Sequence, residues 1–241
     1  MKLALVAILC SAFCHAQTPA APPTPEDYAK QKKMLDDWPN LARYRDANAK
    51  LPADAADGNR VVFMGDSITD GWPKVAGEFF PGRDYIDRGI SGQTTPQMLV
   101  RFWPDVIALH PKAVVILGGT NDLAGNTGPE TLEAIEENFM AMADIAKQNG
   151  VRVILASILP AYDYKWRPGI FPADKIATLN SWMRGYAAEH GFVYLDYYSA
   201  MVDSRRAMKA ELTHDGVHPN KDGYAIMAPL AEKAIHDALL P

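Results

Sequence analysis

The chain has 241 residues, 48% of them hydrophobic, with 24 basic and 29 acidic side chains and a formal net charge of −5. That size and apolar content suit one α/β domain with a sizeable core. A mildly acidic chain without basic runs argues against nucleic acid or an anionic membrane surface as a partner. No internal repeat is visible, and beyond the N-terminus no apolar run is long enough for stable membrane insertion.

Met1-Lys2 is followed by the apolar run Leu3 to Cys10 and then by Ser11-Ala12-Phe13-Cys14-His15-Ala16. A positive end, a short apolar core and a small residue at the cleavage position predict a secretory signal peptide over residues 1–16 and a secreted or periplasmic protein. Both cysteines, Cys10 and Cys14, lie inside that segment. The mature chain would then have no disulfide, thiolate nucleophile or cysteine metal site. Residues 17–25, rich in Ala, Pro and Thr, read as a flexible lead-in to a single domain over 26–241. Thr24-Pro25-Glu26-Asp27 is a helix start, with a Thr cap, an early proline and acids at the positive end. A helix to about Asp37 and a second from Asn40 to about Lys50 are expected to pack on the domain.

From Arg60 onward strands and helices alternate. Strands are predicted at Val61–Met64, at about Asp84–Asp87, and at Ala113–Leu117, Val151–Ala156 and Phe192–Leu195. A helix begins at Thr95-Pro96, to be kinked or restarted by Pro104. Others run from about Pro129 to Gln148, from about Pro172 to His190, and through the C-terminus to about Leu239. The alternation implies a parallel sheet covered on both faces, and right-handed crossovers make it a doubly wound three-layer α/β/α sandwich.

Four polar signals fall just after strands or between helices: Gly65-Asp66-Ser67, Gly89-x-x-Gly92, Gly118-Gly119-x-Asn121-Asp122 and Asp215-x-x-His218. A serine where a strand feeds a helix faces the ligand edge of an α/β sheet, near helix N–H groups that favour negative charge. Ester hydrolysis needs a nucleophile, a base, a group orienting that base and donors for the oxyanion, and Ser, His, Asp and a Gly/Asn set can supply all four. Each residue also has a plainer reading. Gly92 and Gly118 can simply make turns, Asn121 and Asp122 can cap a loop, Asp215 can start a turn, and His218 before Pro219 can lie on the surface.

Taken in order from Val61 to His218, the four blocks resemble the SGNH/GDSL hydrolase superfamily. The resemblance implies a flavodoxin-like fold with a five-stranded parallel sheet. It implies Ser67 as nucleophile, His218 as base and Asp215 as the group orienting it. It also implies an oxyanion hole from the N–H groups of Ser67 and Gly92 and the side-chain amide of Asn121. The chemistry agrees. A serine hydroxyl is a weak nucleophile without a base, histidine ordinarily titrates near neutrality, and glycine lets backbone approach an acyl group closely. Asp122 reads as loop support. His214 departs from the family spacing, and His110, His190 and His236, at or near helix ends, read as structural. No clustered metal ligands are evident, and no cofactor is called for.

The blocks around Gly92 and Asn121 look most like the acetylhydrolase and carbohydrate-esterase branch, and also like the platelet-activating-factor acetylhydrolase type. The expected substrate is a small-molecule or carbohydrate ester with a short acyl group, acetyl above all. In the loop after the fourth strand, Tyr162, Tyr164 and Trp166 could stack on sugar faces and Arg167 or Lys165 could meet an acidic sugar, or the rings could simply pack the loop down. The rival enzyme reading is a lysophospholipase or thioesterase. The rival from another class is an inactive relative that binds carbohydrate. Nothing in the sequence sets an oligomeric state.

Overall fold

The computed structural model describes residues 22–52 and 58–240. The proposed signal peptide lies outside them. The chain divides into a unit Met1–Asp36 and a unit Asp37–Pro241. The first contributes one described helix, α1 (Pro25–Asp36). Thr24 starts it: the Asp27 carboxylate accepts from the Thr24 N–H at 2.8 Å, and the Thr24 hydroxyl accepts from the Asp27 N–H at 3.2 Å.

The second unit holds, in order, α2 (Arg45–Ala49), β1 (Val61–Gly65), α3 (Ser67–Ala76), β2 (Tyr85–Gly89), α4 (Thr95–Asp105), β3 (Ala113–Leu117) and α5 (Thr120–Leu123). It continues with α6 (Leu132–Gln148), β4 (Arg152–Ala156), α7 (Ala173–His190), β5 (Val193–Leu195), α8 (Tyr197–Met201) and α9 (Lys221–Leu239). All five strands are parallel, in the order β2-β1-β3-β4-β5. This is the flavodoxin-like α/β sandwich that the sequence predicts. The order reverses between β1 and β3, so the ligand crevice of such a sheet opens where Ser67 follows β1 and Asn121 follows β3.

Strand alternation sorts the core into two layers. Val62, Met64, Val114, Ile116 and Leu155 pack against Met98 and Phe102 of α4, Phe139 of α6 and Met183 of α7. Val61, Phe63, Val115, Leu117 and Ile154 point the other way, onto Trp72 of α3, Met201 of α8 and Met227 and Ile235 of α9. Central strands buried on both faces carry no polar alternation, which is why they read as continuous apolar runs.

Element ends differ from expectation where caps decide them. The helix expected from Asn40 shrinks to α2, because Asn40 is left-handed (φ 56°) and the Asp37 carboxylate accepts from the Leu41 and Ala42 N–H groups at 2.8 and 2.9 Å. The start of α6 moves from Pro129 to Leu132, where the Thr131 hydroxyl accepts from the Ala134 N–H at 3.1 Å. Pro104 sits in the last turn of α4; the chain restarts as a 3₁₀ turn at Ile107–Leu109 and leaves it through a left-handed His110.

Segment 37–49 braces the loop after β2. Its Trp38 and Pro39 carbonyls each accept a side-chain amide, from Gln97 and Gln93, both at 2.7 Å. The Tyr44 hydroxyl donates to the Gly89 carbonyl. Gly89 itself admits no side chain, since a Cβ there would lie 2.1 Å from the Asp70 backbone nitrogen of α3.

Candidate active site

Ser67 is the first residue of α3, and the residue before it caps the helix: Asp66 Oδ1 accepts from the Ile68 N–H at 3.0 Å. Burial pushes the Asp66 carboxyl up to about 6 against the pull of that N–H. Ser67 Oγ lies 2.9 Å from His218 Nε2, and His218 Nδ1 lies 2.6 Å from Asp215 Oδ2. The three side chains therefore form one hydrogen-bonded chain, although Ser67 stands 151 residues before His218.

The loop carrying Asp215 and His218 braces itself. Asp215 Oδ1 accepts from the backbone N–H groups of Val217 and His218 at 2.9 and 2.8 Å. The Thr213 hydroxyl donates to the His218 carbonyl at 2.7 Å. Partial burial pushes the Asp215 carboxyl up, but the His218 side chain and these N–H groups outweigh it and hold the group at about 2. Asp215 is thus a fixed anion beside the imidazole. His214 is exposed and outside this chain of bonds.

Gly92 lies in a turn closed by the Gln93 N–H on the Ile90 carbonyl at 3.2 Å. Its φ of +82° at the third position is that of a type II turn, which favours glycine. Asn121 is buried in α5. Its Nδ2 donates to Asp66 Oδ2 at 3.1 Å and to the Gln93 carbonyl at 3.0 Å. The Gly92 turn and Asn121 are therefore linked through Gln93, and Asn121 reaches back to the residue before Ser67. Asp122 supports the same junction. It accepts from the Thr95 N–H at 2.8 Å and the Thr95 hydroxyl at 2.5 Å, and burial raises its carboxyl to about 6.

The loop after β4 divides in role. Trp166, 44% exposed, brings its indole ring to 6.1 Å from the His218 ring. Tyr164 is 0% exposed and stacks under Trp166 at 4.9 Å. Of the two readings of this ring, the packing one holds for Tyr164, because a ring with no accessible surface supports the indole and meets no ligand. Arg167 spends its guanidinium on the Ala124 and Gly125 carbonyls, at 2.7 and 2.5 Å. Tyr162 is exposed and meets the exposed Phe171 edge to face at 5.7 Å.

Three supporting residues escaped the sequence reading. Gln93 and the fully buried Arg101 tie the strand ends together: Arg101 donates to the Arg88 and Gly65 carbonyls, both at 2.8 Å, and to the Gln93 side chain. Asn126 joins Gly92, Asn121 and Trp166. Their signal is spatial: Arg101 is one charge in an amphipathic helix, and Asn126 is one polar residue in a turn.

A 2-1-3-4-5 parallel sheet with Ser, His and Asp meeting at the carboxyl ends of its strands has the architecture of the SGNH hydrolases. The sequence model of the GDSL-like lipase/acylhydrolase family matches residues 63–226, and the chain belongs to that family. A GDSL-like lipase from Bacteroides thetaiotaomicron is 44% identical, with a TM-score of 0.81 over 84% of this chain and 100% of that one. An acetylxylan esterase of Xylanibacter ruminicola is 26% identical over 222 residues, covering 77% of this chain and 45% of the relative. The chain spans less than half the length of the curated relatives it matches. An acetylxylan esterase structure from Geobacillus stearothermophilus shares the fold at 20% identity, with a TM-score of 0.59 over 74% of this chain and 94% of that one.

Proposed function

We propose that the protein is a secreted serine esterase that removes short acyl groups, acetyl above all, from carbohydrate esters. The observation that carries the reading is the Ser67–His218–Asp215 chain of hydrogen bonds, 2.9 and 2.6 Å long. Asp215 holds the proton on His218 Nδ1, leaving Nε2 to take the Ser67 proton. Ser67 Oγ then attacks the acyl carbon. The tetrahedral oxyanion is met by the N–H groups of Ser67 and Gly92 and by the Asn121 amide, which exchanges one of its present acceptors for the oxyanion. His218 next protonates the departing alcohol, and the same residue activates the water that frees the acid and regenerates Ser67. No cofactor enters this scheme.

The carbohydrate assignment is supported by the two acetylxylan esterase relatives and by the exposed Trp166 indole beside His218. Its flat face can stack on the sugar that carries the ester. Export rests on the signal-like sequence of residues 1–16, and the working domain is taken as residues 26–241. Hydrolysis of p-nitrophenyl acetate, butyrate and octanoate by the wild type and by Ser67→Ala tests the whole reading. Acetate turnover that falls by about 10⁴-fold or more in the variant is the expected outcome. Turnover of octanoate alone would move the assignment to a lysophospholipase or thioesterase. No serine-dependent turnover would leave a carbohydrate-binding relative.

A further inference from the structure

Asn126 lies in the turn after α5, exposed at the surface, yet its side-chain amide is bonded at both ends. Its Nδ2 donates to the Gly92 carbonyl at 3.2 Å and to Asn121 Oδ1 at 2.8 Å, while its Oδ1 accepts from Trp166 Nε1 at 3.2 Å. Its backbone N–H also donates to the Asn121 carbonyl at 3.0 Å.

We propose that Asn126 is a positioning residue for ester hydrolysis, setting the Gly92 turn and the Asn121 amide against each other and tying both to the Trp166 wall. The proposal rests on the esterase reading above. Gly92 has no side chain to hold it, and the bond to its carbonyl limits the remaining freedom of the turn that presents its N–H. The terminal torsion of an asparagine is broad when free. With Oδ1 of Asn121 held by Asn126, its Nδ2 must face the opposite way, toward Asp66 and Gln93. Trp166 fixes which end of the Asn126 amide is which. An indole N–H can only donate, so it requires the Asn126 oxygen and turns the nitrogen toward Gly92 and Asn121. Three partners, on two loops and a helix, agree on one amide orientation, and both proposed oxyanion donors inherit it.

Steady-state kinetics on p-nitrophenyl acetate with the full chain test this, using wild type, Asn126→Ala, Asn126→Asp and a Ser67→Ala blank. Alanine removes every side-chain bond. Aspartate keeps an acceptor for Trp166 but sets a carboxylate against the Gly92 carbonyl and Asn121 Oδ1. Because oxyanion donors act in the transition state, kcat should fall about 10–100-fold in Asn126→Ala and further in Asn126→Asp, with KM held within about twofold. The Asn126→Asp to wild-type kcat ratio should rise as pH falls from about 8 to about 5, since a protonated carboxyl regains a donor. A purely structural residue would move the melting temperature and leave that ratio flat. Unchanged kcat in both variants, a loss confined to KM, or a flat ratio overturns the proposal. Wild type without Ser67-dependent turnover would instead bring down the esterase reading, and this inference with it.

Discussion

At the scale of single residues, Phe171 stands out. It is 59% exposed and left-handed, with φ 47°, a backbone state that costs an L residue about 1–2 kcal/mol. Asp163 holds it there by accepting from the N–H groups of Gly169, Ile170 and Phe171 at 2.7, 3.0 and 3.3 Å. Phe171→Gly should therefore stabilise the protein by about 1 kcal/mol, less the small edge contact with Tyr162, as read from urea unfolding. Strain kept at an exposed aromatic is common where a surface meets a ligand. Residue type and spacing are legible in the sequence, and burial is not. Type and spacing single out Ser67, Asn121, Asp215 and His218, and the family resemblance supplies their expected roles. Tyr164 and Trp166 look alike in a list of residues, and only packing separates a buried support from an exposed indole.

At the scale of elements, Arg101 joins β1, β2 and α4. Its guanidinium is fully buried, 3.1 Å from the equally buried Asp105. Arg101→Met would leave Asp105 without its cation, strip the guanidinium bond from the Arg88 carbonyl, and leave the Gly65 carbonyl with only the Ile90 N–H at 3.0 Å. A loss of about 3–5 kcal/mol is expected, measurable as a lower urea midpoint. The central strands β1, β3 and β4 are legible as short apolar runs bounded by turn residues, whereas β2, with Asp87 and Arg88, is not such a run, and the flavodoxin-like fold comes with the family resemblance. Helix starts were less so. Thr131 displaced the start of α6 and Asp37 shortened α2, because a single side-chain cap outweighs the weak preference of the residues on either side.

At the scale of the whole molecule, buried carboxyls shape the response to pH. Burial raises Asp66, Asp87 and Asp122 to about 6, while hydrogen bonds at His218 overcome burial to lower Asp215 to about 2. A raised acid stabilises the fold below its unfolded pKa and loses that contribution as pH rises through the folded value. A lowered acid does the reverse, losing its contribution as pH falls from the ordinary carboxylate range toward 2. These four groups together favour the fold most near about pH 4 and cost it stability between about pH 4 and 7. Calorimetric melts across that range should show the decline. Asp87→Asn, which keeps an oxygen to accept the Gly89 N–H now bonded to Asp87 at 2.7 Å, should flatten it by several degrees near neutrality.

The bond between Ser67 and His218 closes a loop of 151 residues and draws on the last stretch of the domain to be made. A ribosome-bound chain carries its hydroxyl long before its imidazole exists. On the proposed mechanism such a chain is silent toward esters. Ester cleavage becomes a report of completed synthesis, so fragments ending before Asp215 should be inert however well β1 to β4 are made.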